Sequence, residues 1–145
     1  MQTALALALL LVCPLRIKNL AGLNLERHIT RLRPGGKVHL VIPADEVKNK
    51  APLEFELPAD VVTILVRYTE EYRPRLVQGP NPWLFPARGG GSKPPGAFGV
   101  QLSKAIKQTT GLIVNAHLFR HLAAQLILAA NPGAYPCRQK SSCGR

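Results

Sequence analysis

The chain opens on a run of apolar residues with almost no polar interruption. Residues 3–12 are rich in Ala and Leu and apolar nearly all round, which is typical of a helix that its own domain encloses. Pro14 ends this run, and residues 15–23 predict a second, short helix. Three leucines of the second helix are placed to face the core: Leu15, Leu20 and Leu23. Arg16 lies at the junction of the two helices, where a rigid turn can aim its side chain inward.

After the second helix the apolar period changes toward two, which is the period of a β-strand. Three segments predict strands: residues 28–32, 37–42 and 53–57. A Pro-Gly-Gly turn at residues 34–36 joins the first two. A polar connection over residues 43–52 joins the last two and carries Lys48 and Lys50 near its tip. The pattern indicates a small antiparallel sheet with a basic hairpin.

Helical patterns return in the second half of the chain. Pro58 opens a helix, because proline fits the first turn of a helix. The apolar stripe of this helix consists of Val61, Val62, Leu65, Val66 and Tyr72. An irregular segment follows at residues 73–96, and its Trp83-Leu84-Phe85 sequence is expected to pack into the core. Two more helices are predicted, at residues 98–109 and 117–130. The fold class is therefore α+β: a mostly helical core with a small antiparallel β-sheet on one side.

Length and composition indicate one domain. A chain of 145 residues can bury one sizeable core and is too short for two comfortable ones. We expect residues 1–134 to form this domain. Residues 135–145 show no periodicity and hold two of the three cysteines. We interpret them as an unstructured basic tail, read out of frame.

The net charge indicates a polyanionic partner. Nineteen Lys and Arg residues stand against eight Asp and Glu residues, a formal net charge of +11. Such an excess is typical of proteins that bind nucleic acid or an anionic membrane. The charge alone does not distinguish these two kinds of partner.

The N-terminal apolar run does not fit an export signal. No Lys or Arg precedes it, no small-x-small cleavage site follows it, and it is too short to span a bilayer. The three cysteines, Cys13, Cys137 and Cys143, form no CxxC pair of the kind that binds a metal. We therefore expect a cytoplasmic protein with no cofactor and no metal site.

The main candidate for chemistry is the NAHLFRH sequence at residues 115–121. His117 and Arg120 lie three residues apart at the start of the last predicted helix, so both point to one side of its first turn. A guanidinium can bind the non-bridging oxygens of a phosphodiester bidentately while an imidazole donates or accepts a proton. The pair predicts a phosphodiester site. His121 is expected to be a buried helix partner.

In chain order, the polar candidates are Arg16 after the first helix, Lys48 or Lys50 on the hairpin, and His117 with Arg120 on the last helix. With the small sheet between them, these elements resemble the catalytic domain of the tyrosine recombinases, also called phage integrases. The resemblance covers nearly the whole chain. Its most specific element is the HLFRH sequence with an apolar helix behind it.

The resemblance implies a role for each of these residues. In the family, two arginines bind the phosphate oxygens and offset the charge of the pentavalent transition state; these are Arg16 and Arg120. A hairpin lysine protonates the leaving 5′-oxygen, and this is Lys48, with Lys50 as the alternative. His117 is the histidine that handles protons. The resemblance also implies double-stranded DNA as the partner and no membrane. The expected catalytic residues are thus Arg16, Lys48, His117 and Arg120, and the expected DNA-binding residues are Arg16, Lys48, Lys50 and Arg120.

The sequence departs from the family pattern in two places. Asn19 stands three positions after Arg16, where family members usually carry an acidic residue. Tyr135 follows Arg120 by only 15 residues, and the family's nucleophilic tyrosine belongs roughly twice as far along the chain. We therefore assign Tyr135 no catalytic role.

These observations lead to a functional interpretation. We expect a DNA-binding fragment of a site-specific tyrosine recombinase from a mobile element, truncated at both ends, that keeps the phosphate-activating residues and lacks the nucleophile. Such a fragment is inactive in DNA strand breakage and rejoining. The alternative is a module without catalysis that binds DNA or assembles with other recombinase protomers.

Overall fold

The computed structural model describes residues 1–31 and 36–130, apart from the side chains of Ala116 and Ile127. The helices of these residues are α1 (Gln2–Val12), α2 (Ile17–Ala21), α3 (Leu25–His28), α4 (Ala59–Arg67), α5 (Pro95–Thr110) and α6 (Ala116–Ala130). The strands are β1 (Ile29–Arg31), β2 (Val38–Ile42) and β3 (Leu53–Glu56). Most of the predicted turn at residues 34–36 and the whole predicted tail at residues 135–145 lie outside the described residues.

Helix α1 is the central helix of the core, as its apolar composition predicts. Leu5, Ala6 and Leu9 are fully buried, and so is Cys13 just after the helix. The helix packs against α4, α5 and α6. A helix surrounded on several sides needs apolar residues around its circumference, which explains the nearly continuous Ala/Leu sequence.

The second helix is shorter than predicted but faces the core as expected. Helix α2 begins at Ile17 rather than at residue 15 and ends at Ala21. The three leucines Leu15, Leu20 and Leu23 are all buried. Asn24 caps the start of α3, because its side-chain oxygen accepts hydrogen bonds from the backbone N–H groups of Glu26 and Arg27 at 2.9 and 3.1 Å.

The sheet has the order β1-β2-β3 and is antiparallel throughout. In its register Leu40 pairs with Ile29 on one side and with Phe55 on the other. Val38, Leu40 and Ile42 are buried, so the inner face of β2 packs on the helices. The α+β class with a small antiparallel sheet is confirmed.

The apolar stripe predicted for the helix after Pro58 missed a buried aromatic residue. Tyr68 is fully buried, and Tyr72, which the stripe included, is partly buried and packs against the core. The helix changes to a wider π-helical turn at Tyr68–Tyr72, which shifts the face that residues after Arg67 present to the core. The hydroxyl of Tyr68 donates a hydrogen bond to the carbonyl oxygen of Leu84 at 3.0 Å.

The irregular segment between α4 and α5 contributes to the core as predicted. Leu84 and Phe85 are fully buried, and Trp83 is half-buried. Gly111 ends α5 with φ of 75°, a left-handed conformation that glycine adopts without steric cost. Within residues 1–31 and 36–130, no helix is long and apolar enough to cross a membrane.

Candidate functional site

Two adjoining cavities lie where α2, the β2–β3 connection and α6 meet. The first, of about 410 Å³, is lined by Pro14, Arg16, Asn19, Val47, Lys48, Asn49, Leu53 and Arg120. The second, of about 450 Å³, is lined by Arg16, Ile17, Lys18, His117 and Arg120. Arg16 and Arg120 line both cavities, so the two share a cationic wall.

Arg120 is held at this wall by the backbone of the α1–α2 junction. Its Nε donates a hydrogen bond to the carbonyl oxygen of Pro14 at 2.7 Å. Partial burial, and then the nearby charge of Arg16, lower the pKa of Arg120 from its usual value, although an arginine stays charged at any ordinary pH. Because Nε is the bonded atom, the two terminal nitrogens of the guanidinium stay available for a bidentate anion.

Arg16 reaches the same wall from the start of α2. Its backbone is extended, with φ of −71° and ψ of 148°, and it precedes the first helical residue. Leu15 on one side of it is buried, and the exposed Arg16 side chain consequently projects out of the core toward the cavities. The junction therefore does orient Arg16, as predicted, but toward a surface cavity and not into the core.

The hairpin places its two lysines differently. A turn follows the short 3-10 helix Ala44–Glu46, and in it the N–H of Lys50 donates to the carbonyl oxygen of Val47 at 2.9 Å. Lys48 lines the first cavity together with both arginines. Lys50 has φ of 53°, a conformation unusual for a side chain larger than glycine, and lines neither cavity. Of the two lysines, Lys48 is therefore the one that lies beside Arg16 and Arg120.

Asn19 supports the loop that carries Lys48. Its Nδ2 donates a hydrogen bond to the carbonyl oxygen of Glu46 at 3.1 Å. The Glu46 carboxylate in turn lies 3.0 Å from Arg27 and 3.0 Å from Nε2 of the buried His28. The sequence showed Asn19 only as a departure from the family pattern, because a contact across 27 positions leaves no local signal.

The head of α6 supplies the histidine. Asn115 caps this helix, since its Oδ1 accepts a hydrogen bond from the N–H of Leu118 at 2.7 Å. His117 lines the second cavity beside Arg16 and Arg120. The prediction of a buried His121 is wrong: its side chain is exposed, because it faces outward next to His117.

The arrangement joins four basic side chains, Arg16, Lys18, Lys48 and Arg120, and one imidazole around a concave surface. Such a set can bind an anion of two or more oxygens and exchange a proton with it. Neither tyrosine of the described part of the chain lines the cavities; these are Tyr68 and Tyr72. Among the described residues there is no group of three or more His, Cys, Asp or Glu side chains that could hold a metal ion.

The comparison with solved structures finds a similar fold in a site-specific recombinase. The crystal structure of XerH bound to its difH substrate, a pre-cleavage complex, matches with a TM-score of 0.70 and 17% sequence identity over 90% of this chain. XerH bound to a palindromic difH substrate, a post-cleavage complex, matches with a TM-score of 0.68 and 18% identity over 88% of this chain. The matched region is 36% and 35% of the length of the XerH chains.

The chain has the fold of a tyrosine recombinase catalytic domain. The fold expected from the sequence resemblance is thereby confirmed. No family model matches the chain. No curated protein matches it either. At 17% identity the likeness to XerH is one of fold, and the roles of individual residues stay predictions.

The structure brings together the four residues predicted to be catalytic. Arg16, Lys48, His117 and Arg120 come from three separate elements and share the two adjoining cavities. The residues of the site that had not been predicted include Lys18, which lines the second cavity, and Pro14, whose carbonyl oxygen orients Arg120. Asn49 lines the first cavity next to Lys48. A backbone carbonyl is present in every residue, so no sequence signal could have identified Pro14.

Proposed function

We propose that this chain binds the sugar-phosphate backbone of duplex DNA at the two adjoining cavities, as part of a site-specific tyrosine recombinase. The observation that carries the proposal is the convergence of Arg16, Lys48 and Arg120 on one cavity. Gathering three cations is costly unless an anion offsets their repulsion. A phosphodiester with two non-bridging oxygens fits this arrangement.

Each side chain has a distinct part in this proposal. The terminal nitrogens of Arg120 bind the non-bridging oxygens, since its Nε is already bonded to Pro14. Arg16 faces the same phosphate from the start of α2. Lys48 approaches from the hairpin, close to a bridging oxygen, and His117 exchanges a proton from the head of α6.

The fold supports a recombinase origin for this site. The XerH structures with the same fold hold DNA substrates before and after cleavage. The formal net charge of +11 supplies the general attraction to a polyanion. Because the cavities of the described residues include no tyrosine, we propose that this chain binds DNA without forming the covalent intermediate.

A titration of duplex DNA at several salt concentrations tests the proposal. We expect Arg120→Ala and Lys48→Ala to weaken binding and to lower the slope of log affinity against log salt by about 0.9 for each phosphate that is no longer neutralised. Lys107→Ala is the matched control, because it removes the same charge from the exposed face of α5. Lys50→Ala tests the alternative lysine, and its effect should be smaller than that of Lys48→Ala.

Two results would overturn the proposal. If Lys107→Ala weakened binding as much as Lys48→Ala, binding would depend on overall charge and not on the cavities. If a protein–DNA adduct survived denaturing electrophoresis, the chain would possess a nucleophile and the non-catalytic part would be wrong. Circular dichroism of each variant separates loss of binding from loss of fold.

An assembly module is the second candidate, and one observation favours it. Leu118, Leu122 and Leu126 project from α6 with about half of each side chain exposed: 54%, 47% and 53%. Apolar residues aligned on one helix face often mark a contact with another protein. This candidate requires complexes that contain more than one protomer, whereas the first is satisfied by one chain on DNA.

A further inference from the structure

His117 and His121 form a close pair on the exposed side of α6. They lie one helical turn apart, and their Nε2 atoms are 3.1 Å from each other. The ring centroids are 4.6 Å apart and the ring planes cross at 82°. Both side chains are exposed, so the pair is open to small ions in solution.

The separation of the two nitrogens suits a shared metal ion. Zinc binds imidazole nitrogen at about 2.0–2.1 Å, so two nitrogens in a tetrahedral site are about 3.3 Å apart. At a right angle, as in square-planar or octahedral sites, the separation is about 3.0 Å. The observed 3.1 Å lies between these two values. Small rotations of both rings then direct the two lone pairs to one point.

We propose that His117 and His121 together chelate one divalent transition-metal ion. The class of ion is the one that imidazole prefers, and it includes Zn²⁺, Ni²⁺ and Cu²⁺. Histidines at positions i and i+4 of a helix share one face, which is why this spacing recurs in zinc sites. Water completes the coordination. The cysteine spacing, which does not fit a metal site, has no bearing on this histidine pair.

The surroundings set the strength of the site. Arg16, Lys18 and Arg120 line the cavity next to His117, and their positive charges oppose a cation. The Nε–H of Arg120 points to Pro14, which holds that guanidinium toward the cavity. His121 does not line the cavity, and charges at this exposed position are screened by salt. With two protein ligands, the chelate is a site of modest affinity that exchanges its metal readily.

The chelate requires only the two imidazoles and the helix that spaces them, so it can form whether or not the chain binds DNA. It would nevertheless affect the proton exchange proposed for His117, because a metal ion on its Nε2 occupies one of the two ring nitrogens.

Titration calorimetry with ZnCl₂ alone, at about pH 7.5, tests the proposal. The full chain is used with Cys137→Ser and Cys143→Ser in every sample, because thiolates bind zinc strongly. We expect one ion per chain. His117→Ala and His121→Ala should each weaken binding by about tenfold or more, since each removes one of two protein ligands.

Two control variants keep the test specific. His39→Gln removes a histidine that lies on β2 against Glu54 and should leave zinc affinity unchanged. The double variant His121→Leu with Leu122→His keeps the number of histidines but breaks the i, i+4 spacing, and it should lose binding as His121→Ala does.

The proposal is overturned if His121→Ala binds zinc as tightly as its parent. It is equally overturned if the double variant retains the affinity, because the chelate depends on spacing. Circular dichroism confirms that each variant keeps its helices. Failure here leaves the DNA proposal intact, since duplex binding is measured in the absence of metal.

Discussion

Helices α1 and α6 have similar apolar sequences but very different surroundings. α1 buries Leu5, Leu9 and Leu10 almost completely. α6 buries Ala123, whereas its leucines at positions 118, 122 and 126 are about half exposed. The two helices pack on each other. Two helices of similar composition therefore differ in burial: α1 lies at the centre of the core, whereas α6 has a partly exposed apolar face.

The difference matters because the site depends on the less enclosed helix. His117 and Arg120 belong to α6, while Arg16 follows the enclosed α1. The hydrogen bond from Arg120 to Pro14 connects the two regions. The stability of the fold and the geometry of the site should consequently respond to different substitutions.

The largest expected contrast is between a buried and an exposed leucine. Leu9→Ala leaves a cavity in the core and should lower the free energy of unfolding by about 2–5 kcal/mol. Leu126→Ala removes the same atoms from a side chain that is 53% exposed. It should change the free energy of unfolding by about 0.5 kcal/mol or less. Denaturant titrations of both variants measure the two values. Equal losses would show that α6 is as enclosed as α1.

The second contrast concerns the thiol at the end of α1. Burial raises the pKa of Cys13 to about 12, from a reference value of 9.0. Above pH 9 the unfolded chain releases the thiol proton while the folded chain keeps it. The free energy of unfolding is therefore highest below about pH 9 and falls as the pH rises toward 12. The slope is about 1.4 kcal/mol per pH unit.

Urea titrations at several pH values measure this effect. Between about pH 8 and pH 10.5 the free energy of unfolding of the parent should fall by about 2 kcal/mol more than that of Cys13→Ala, which lacks the thiol. Tyr68, whose pKa burial also raises, is present in both proteins, so its contribution cancels. If the free energy of unfolding changed with pH in the same way for both proteins, the burial of Cys13 would be contradicted.

The smallest contrast concerns the turn that leads into α6. Gly111→Ala places a side chain in a left-handed conformation, with φ of 75°, and should cost about 1 kcal/mol. Gly96 lies within α5 and has nothing within 4 Å of an added Cβ, so Gly96→Ala should stabilise by about 0.5–1 kcal/mol.

Thermal unfolding measures both effects. The midpoint temperature should be lower for Gly111→Ala than for the parent, and higher for Gly96→Ala. An added Cβ at Gly111 likewise meets nothing within 4 Å, so any loss there comes from the backbone conformation and not from a clash. A stabilising effect at Gly111 would mean that the turn is not left-handed.

Much of the fold was predictable because local patterns report burial directly. The period of two at residues 37–42 identified β2, whose residues Val38, Leu40 and Ile42 are buried. The position of Tyr68 was missed because a π-helical turn changes the period within a helix, and no residue type specifies such a turn.

The site could be predicted only as a set of residue types. Basic side chains and an HxxR motif indicate a phosphate, yet the same sequence allowed Lys48 or Lys50. The turn geometry distinguishes them, since Lys48 alone of the two reaches the cavity with the arginines. The role of Asn19 as a support for the hairpin and the exposure of His121 also became visible only in three dimensions.

The sequence by itself determined most of the helices and strands of this protein, its charge and the side chains available for chemistry, because periodicity, turn residues and ionisable groups are local properties. The short helix α3 was not among the predicted elements. Tertiary structure decided which of these side chains meet. Arg16 and Arg120 are 104 positions apart in the chain, and they share a wall because α6 packs on α1 and its arginine binds the backbone at Pro14. Contacts of that kind depend on how helices pack, and packing is a property of the whole core.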